Sequence, residues 1–249
     1  MSMATLAEAI EQWMSDQVSS AGMNGVVVGL SGGIDSAVVA TLAARALGPE
    51  RVTGVIMPAH SQLADIEDAR LLAGSIGITP LEIDLSHPFD TMLSTLPEGN
   101  DMAVANIKPR LRMITLYHIA NTNGLMVIGT GNRTELLVGY FTKYGDGGVD
   151  LLPLGSLYKN QVRDLAREIG VPQPIIDRPP SAGLWAGQTD EDEMGITYEE
   201  LDAILAAIES GQPTSGFDPD RVQQVQQMMA RSSHKLSMPP IFAPQVSHV

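Results

Sequence analysis

The sequence contains no cysteine. That excludes disulfides, thiolate metal sites and thiol nucleophiles, and makes a reducing cytoplasm the expected home. Although 44% of its 249 residues are hydrophobic, no run approaches the roughly 18 consecutive apolar residues a membrane helix needs, so no membrane partner is expected. The N-terminus shows no basic stretch followed by an apolar core and a small-residue cleavage site, so no secretory signal is expected. Five histidines without paired spacing offer no transition-metal site. Basic residues are scarce, 15 Lys and Arg against 29 Asp and Glu, for a formal net charge of −14. Such a surface repels nucleic-acid phosphate, and no nucleic-acid partner is expected. An anionic nucleotide meets the same field. A chain this acidic that handled ATP should gather Lys and Arg in a cleft and recruit Mg²⁺ against the phosphates.

What is present is an alternation of strands and helices. Leu6 to Val18 has apolar residues at helical spacing around Ile10, Trp13 and Met14; Trp13 and the methionines read as core or interface filling. Gly25 to Leu30, with its run Val26-Val27-Val28, reads as a strand covered on both faces. Helix Ser36 to Leu47, strand Val52 to Met57, helix Ala64 to Ile76, strand Leu81 to Leu85, a helical stretch Phe89 to Leu96, helix Arg110 to Asn121 and strand Leu125 to Gly129 follow. This predicts an α/β fold with a doubly wound parallel sheet flanked by helices. Residues 130–157 read as loop, followed by helix Tyr158 to Ile169, an acidic loop from Asp177 to Gly195, and helices Tyr198 to Ile208 and Pro219 to Ala230. No repeat or domain boundary is visible, and residues 1–249 read as a single domain.

The segment Ser31-Gly32-Gly33-Ile34-Asp35-Ser36 joins the first buried strand to a helix. Glycines let backbone N–H groups turn inward, and the helix start adds its positive end, a combination that cradles an anion. Ser31 and Ser36 can add hydroxyl donors. The segment has neither the Gly-Lys-Ser/Thr ending of a Walker A loop nor the Gly-x-Gly-x-x-Gly of dinucleotide folds. A carboxylate beside phosphate is repulsive unless a cation intervenes, so Asp35 reads as a Mg²⁺ ligand. The plainer alternative is an ordinary strand-to-helix turn in which Asp35 caps the helix.

This segment resembles the pyrophosphatase loop of the N-type ATP pyrophosphatases, which release pyrophosphate from ATP and pass AMP to an acceptor. The resemblance implies a five-stranded parallel sheet of the adenine nucleotide alpha hydrolase-like kind. Further runs appear in order along the chain. They are Asn106 to Met113, Gly129-Thr130-Gly131-Asn132-Arg133-Thr134-Glu135, Gly139 to Gly148, Asp150 to Leu154, Tyr158-Lys159-Asn160-Gln161, Pro180 to Trp185, Gln188 to Glu191, and His234-Lys235. Together they resemble the ammonia-using NAD synthetase family. The resemblance implies a ligase that amidates deamido-NAD (nicotinic acid adenine dinucleotide) to NAD, using ATP and ammonia.

In that reading Gly29, Leu30, Ser31, Gly32, Gly33, Ile34, Asp35 and Ser36 hold ATP, with Thr130 near the adenosine and Lys159 and Ser181 on the phosphates. Asp35 and Glu135 carry Mg²⁺ and, with Lys159, form the catalytic set. Arg110, Lys143, Asp150, His234 and Lys235 contact deamido-NAD, with Asp146 close by. A homodimer is implied, and residues 179–195 form a candidate lid. Each residue has a plainer reading. Lys159 could be a solvated helix-start lysine, Glu135 a helix-start carboxylate, Asp146 and Asp150 turn formers beside Gly147-Gly148, and Arg110 and Lys143 surface ion-pair partners. Free ammonia is the expected nitrogen donor, because the chain has neither the room nor the cysteine for a glutaminase domain. Ile34, where several ammonia-using relatives have Gln, keeps a separate glutaminase subunit open. Two alternatives remain: another adenylating member, akin to argininosuccinate synthetase or a tRNA-modifying enzyme, and a non-catalytic nucleotide sensor.

Overall fold

The computed structural model describes residues 1–181 and 189–242. The expected motif residues Ala182 to Gln188, and with them the middle of the candidate lid, lie outside the described residues. Four parallel strands, β1 (Gly25–Gly29), β2 (Val52–Ile56), β3 (Leu81–Glu82) and β4 (Leu125–Val127), form one sheet in the order β3-β2-β1-β4. The run Val26-Val27-Val28 is fully buried because the pleat sends its side chains both ways. Val26 and Val28 enter one core cluster and Val27 another. Each such burial contributes roughly 1.5–3 kcal/mol.

The first cluster is closed by α1 (Met3–Ser20), α2 (Ile34–Leu47), α3 (Leu63–Ser75) and, later in the chain, α8 (Lys159–Ile169) and α9 (Gln173–Asp177). The other sheet face is covered by α6 (Ile107–Asn123), with α4 (Ser86–Thr95) and α5 (Asp101–Ala105) preceding it. A third cluster joins α7 (Arg133–Val138), α10 (Asp190–Met194), α11 (Tyr198–Glu209) and α12 (Pro219–Ser232) around the fully buried Tyr198. No helix among the described residues is long and apolar enough to cross a membrane.

Among the described residues the sheet has four strands where five were expected. On the β4 edge the chain makes only a parallel bridge, Ile128 with Leu151, and Pro153 two residues later has no N–H to extend a ladder. Helix α6 starts at Ile107, before the expected Arg110, because Pro109 falls in the first turn, where its missing N–H goes unneeded. Met14 is buried, but Trp13 on the same helix is 39% exposed and does not fill the core. Residues 130–157, expected as loop, contain α7, which the pair Asn132 and Glu135 starts as a capping box.

Candidate active site

The chain order reverses between β1 and β4: β1 leads outward to β2 and β3, and the chain then returns to β1's other side. At the carboxyl ends of such a pair the connections diverge and leave a crevice. A cleft of about 930 Å³ lies there, lined by Gly29, Leu30 and Ser31 after β1 and by Gly129 and Thr130 after β4. Six of the fifteen Lys and Arg side chains line it: Arg110, Arg112, Lys143, Lys159, Arg178 and Lys235. The expected concentration of cations in a cleft is therefore present.

The glycine turn between β1 and α2 forms its wall. Gly32 adopts φ +82°, and a Cβ there would lie 2.4 Å from the Asp65 carbonyl oxygen of α3, so only glycine fits. Gly32 itself does not line the cleft, whereas Gly33, Ile34, Asp35 and Ser36 do. The Ser31 and Ser36 hydroxyls lie 3.0 Å apart, and Ser36 Oγ donates to the Gly33 carbonyl at 2.9 Å, so both brace the turn. Asp35 does not cap α2. The cap position is Gly33, without a side-chain bond, and Asp35 instead accepts from Asn132 Nδ2 at 2.9 Å and pairs with Lys159.

Lys159 is 2% exposed, which rules out a solvated surface lysine. Its ammonium pairs with Asp35 and lies 3.4 Å from Glu135 Oε1. Burial alone would favour the neutral amine, but the Asp35 charge, reinforced by Glu135, more than reverses this and raises the lysine pKa. Glu135 is raised in turn, by burial and then by Asp35, because one lysine serves two carboxylates. The helix-start reading of Glu135 also holds: its Oε2 accepts from the Asn132 N–H at 3.1 Å while Oε1 faces Lys159. Lys159 is aimed from behind. Asp202 of α11 accepts the Thr134 hydroxyl at 2.5 Å and the Asn160 N–H at 2.9 Å, and Thr134 Oγ1 accepts the Lys159 N–H at 3.0 Å.

A second group of cations is held by backbone carbonyls. Lys143 Nζ donates to the His234 carbonyl, Lys235 Nζ to those of Gly139 and Phe141 at 2.7 and 2.8 Å, and Arg110 reaches the Lys143 carbonyl at 3.4 Å. These contacts join the turn after α7 to the short 3-10 turn Ser233–Lys235. Within the first turn Asp146 accepts the Thr142 N–H at 2.9 Å, and Tyr144 has φ +59°, a strained value for a bulky residue.

Arg110, Lys143, His234 and Lys235 thus share one region, and Thr130 and Ser181 also line the cleft. Asp150 does not. Its carboxylate accepts the Val127 N–H and the Tyr117 hydroxyl, both at 2.8 Å, and so ties β4 to α6. Sequence reasoning assigned no role to Asn132, Arg178, Asp190 or Asp202. Arg178 pairs with Asp65 and with Asp68 at 2.7 Å. Only Asn132 left a local signal, the Asn-x-x-Glu spacing of a helix start.

The sequence matches the NAD synthase family over residues 6–239. It is 49% identical over 243 residues to the NH(3)-dependent NAD(+) synthetase of Archaeoglobus fulgidus, covering 97% of each chain. Among solved structures, the NMN synthetase of Francisella tularensis superposes with a TM-score of 0.88 at 39% identity, over 97% of this chain and all of that one. The NH3-dependent NAD synthetase of Campylobacter jejuni gives 0.86 at 30% identity, over 98% of this chain and all of that one. With its glycine turn, buried Lys159 and cation-lined cleft in one continuous match, the chain belongs to the NAD synthase family.

Proposed function

We propose that the protein is a ligase that converts the nicotinate carboxylate of deamido-NAD into the amide of NAD, with ATP as activator and ammonia as nitrogen donor. A carboxylate resists ammonia because oxide would have to leave. Attack of a carboxylate oxygen on the α-phosphorus of ATP expels pyrophosphate and gives an acyl adenylate. Ammonia then forms the C–N bond as the C–O bond to AMP breaks. No covalent enzyme nucleophile is needed, so the protein contributes positioning and charge stabilisation.

The observation that carries this reading is Lys159, a buried ammonium on the same cleft wall as the glycine turn. The turn's N–H groups and the α2 start receive the phosphates, Lys159 and Ser181 balance their charge, and Thr130 adjoins the adenosine. Arg110, Lys143, His234 and Lys235 hold deamido-NAD. Two carboxylates sharing one monovalent cation form a hard-oxygen pair short of positive charge, which suits Mg²⁺. Asp35 and Glu135 would hold that ion. No group of three or more metal-ligating side chains occurs among the described residues, so the remaining ligands of such an ion would have to come from the nucleotide and from water. Magnesium, when bound, neutralises charge on the departing pyrophosphate.

A homodimer is supported by exposed apolar side chains near the deamido-NAD residues, Tyr144 beside Lys143 and Ile114 one turn from Arg110, each 57% exposed. The lack of cysteine supports a cytoplasmic setting. The test is incubation with ATP, Mg²⁺, ammonium and deamido-NAD, with nicotinic acid mononucleotide as a competing acceptor because the Francisella relative is an NMN synthetase. NAD, AMP and pyrophosphate should appear in equal amounts. ATP binding without pyrophosphate release would favour a nucleotide sensor, and a clear preference for the mononucleotide would reassign the acceptor.

A further inference from the structure

A phosphate group entering the glycine turn meets carboxylates from two directions. On one side stand Asp35 and Glu135 with Lys159. On the other lies the first turn of α3, packed so closely that the Asp65 carbonyl occupies the room a Gly32 side chain would need. Asp65 also lines the cleft. Asp68 follows three residues later and so shares its face of the helix. The helix start accounts for Asp65, since a carboxylate is favourable in a first turn. It does not account for Asp68, whose charge adds to that of Asp65 against any incoming anion.

One guanidinium matches both. Arg178, at the C-terminal end of α9, donates from Nη1 to Asp68 Oδ2 at 2.7 Å and from Nη2 to Asp65. The planar fork of an arginine suits two acceptors on neighbouring turns, whereas a lysine ammonium is a point charge. The side chains of Arg178, Asp65 and Asp68 are 26, 19 and 21% exposed, too buried to be a loose surface pairing of little worth. Arg178 itself lines the cleft, three residues before Ser181.

We propose that Arg178 sets the charge of the triphosphate site from behind, acting on ATP through Asp65 and Asp68 without binding the nucleotide. By cancelling one of the two α3 carboxylates it keeps the side of the cleft opposite Lys159 open to an anion. The inference rests on the cleft being the ATP site and adds what tunes its affinity.

Two carboxylates and one guanidinium leave the trio a single negative charge. The KM for ATP should follow that charge through a set of variants. It is read in the exchange of labelled pyrophosphate into ATP with deamido-NAD present, which requires adenylation and no ammonia. Arg178→Ala leaves both carboxylates unmatched and should raise the KM for ATP by about tenfold. Asp68→Asn leaves Arg178 on Asp65 alone and should lower it by about threefold. The double variant restores the parent charge and should return to within about twofold of the parent. The KM for deamido-NAD should stay within about twofold throughout. Raising KCl from about 0.05 to 0.5 M should shrink the Arg178→Ala penalty at least about twofold, because salt screens an unmatched charge.

Absence of exchange by the unaltered protein would overturn the ligase reading and this inference with it. Given exchange, a double variant as poor as Arg178→Ala overturns the inference alone, being the result of a direct arginine–phosphate contact or of a purely structural tie. Where Arg178→Ala does not fold, Asp68→Asn decides: a KM for ATP equal to or above that of the parent refutes the charge-setting role.

Discussion

Lys159 and Lys235 line one cleft and are held in contrasting ways. Lys159 is fixed by carboxylates from α2 and α7 at the start of its own helix. Lys235 is fixed by two carbonyls of a loop, and burial lowers its pKa. A lysine matched by carboxylates is neutralised until something displaces or shares them. One held by carbonyls keeps its full charge for an anion arriving from solution. The first arrangement suits charge that develops during a reaction, and the second suits recognition of a ready-made anionic substrate.

The largest effect should come from the carboxylate-bound part. Asp35→Asn keeps the acceptor toward Asn132 but loses the charge, and pyrophosphate–ATP exchange should fall by roughly 10²-fold or more while thermal stability is retained. Near-normal exchange would remove Asp35 from the chemistry. Lys159→Met leaves Asp35 and Glu135 facing each other without a cation and should cost about 3 kcal/mol in denaturant unfolding. The double variant with Asp35→Asn should recover part of that loss. Strict additivity would show that the pair is not coupled.

The carbonyl-held part should respond differently. Lys143→Ala should raise the KM for deamido-NAD by about 10-fold and leave that for ATP nearly unchanged. Equal losses for both would erase the distinction between the two lysine settings. The smallest effect is expected outside the cleft. Asp150→Asn should cost about 1 kcal/mol of stability through the Val127 and Tyr117 bonds. A large rise in the KM for deamido-NAD instead would return Asp150 to the substrate.

The fold was legible where a pattern was local. Three consecutive valines announced a strand covered on both faces, and Gly32 with Gly33 announced a turn that β1 and α2 do form. The short helices α5, α7, α9 and α10, of five or six residues each, escaped notice because so few residues show no periodicity. Within the site, Asp35 was legible because its neighbours are contiguous in the chain. Lys159 was nameable only through family resemblance, since its partner Asp35 lies 124 residues away and its burial is a property of the assembled fold. The supporting Asp202, on α11, had no local pattern at all. Asp150 was named through resemblance alone, and its bonds to the Val127 N–H and the Tyr117 hydroxyl, from β4 and α6, left no pattern in the sequence.

Glu135 begins α7 with one oxygen and faces Lys159 with the other. A single replacement therefore disturbs secondary structure and active-site charge together, so mutational drift toward an inert descendant is penalised twice. A pseudoenzyme on this scaffold would more readily arise through Asp35, whose loss leaves every helix start intact, and its amidated counterpart is the substitution to look for among silent paralogues.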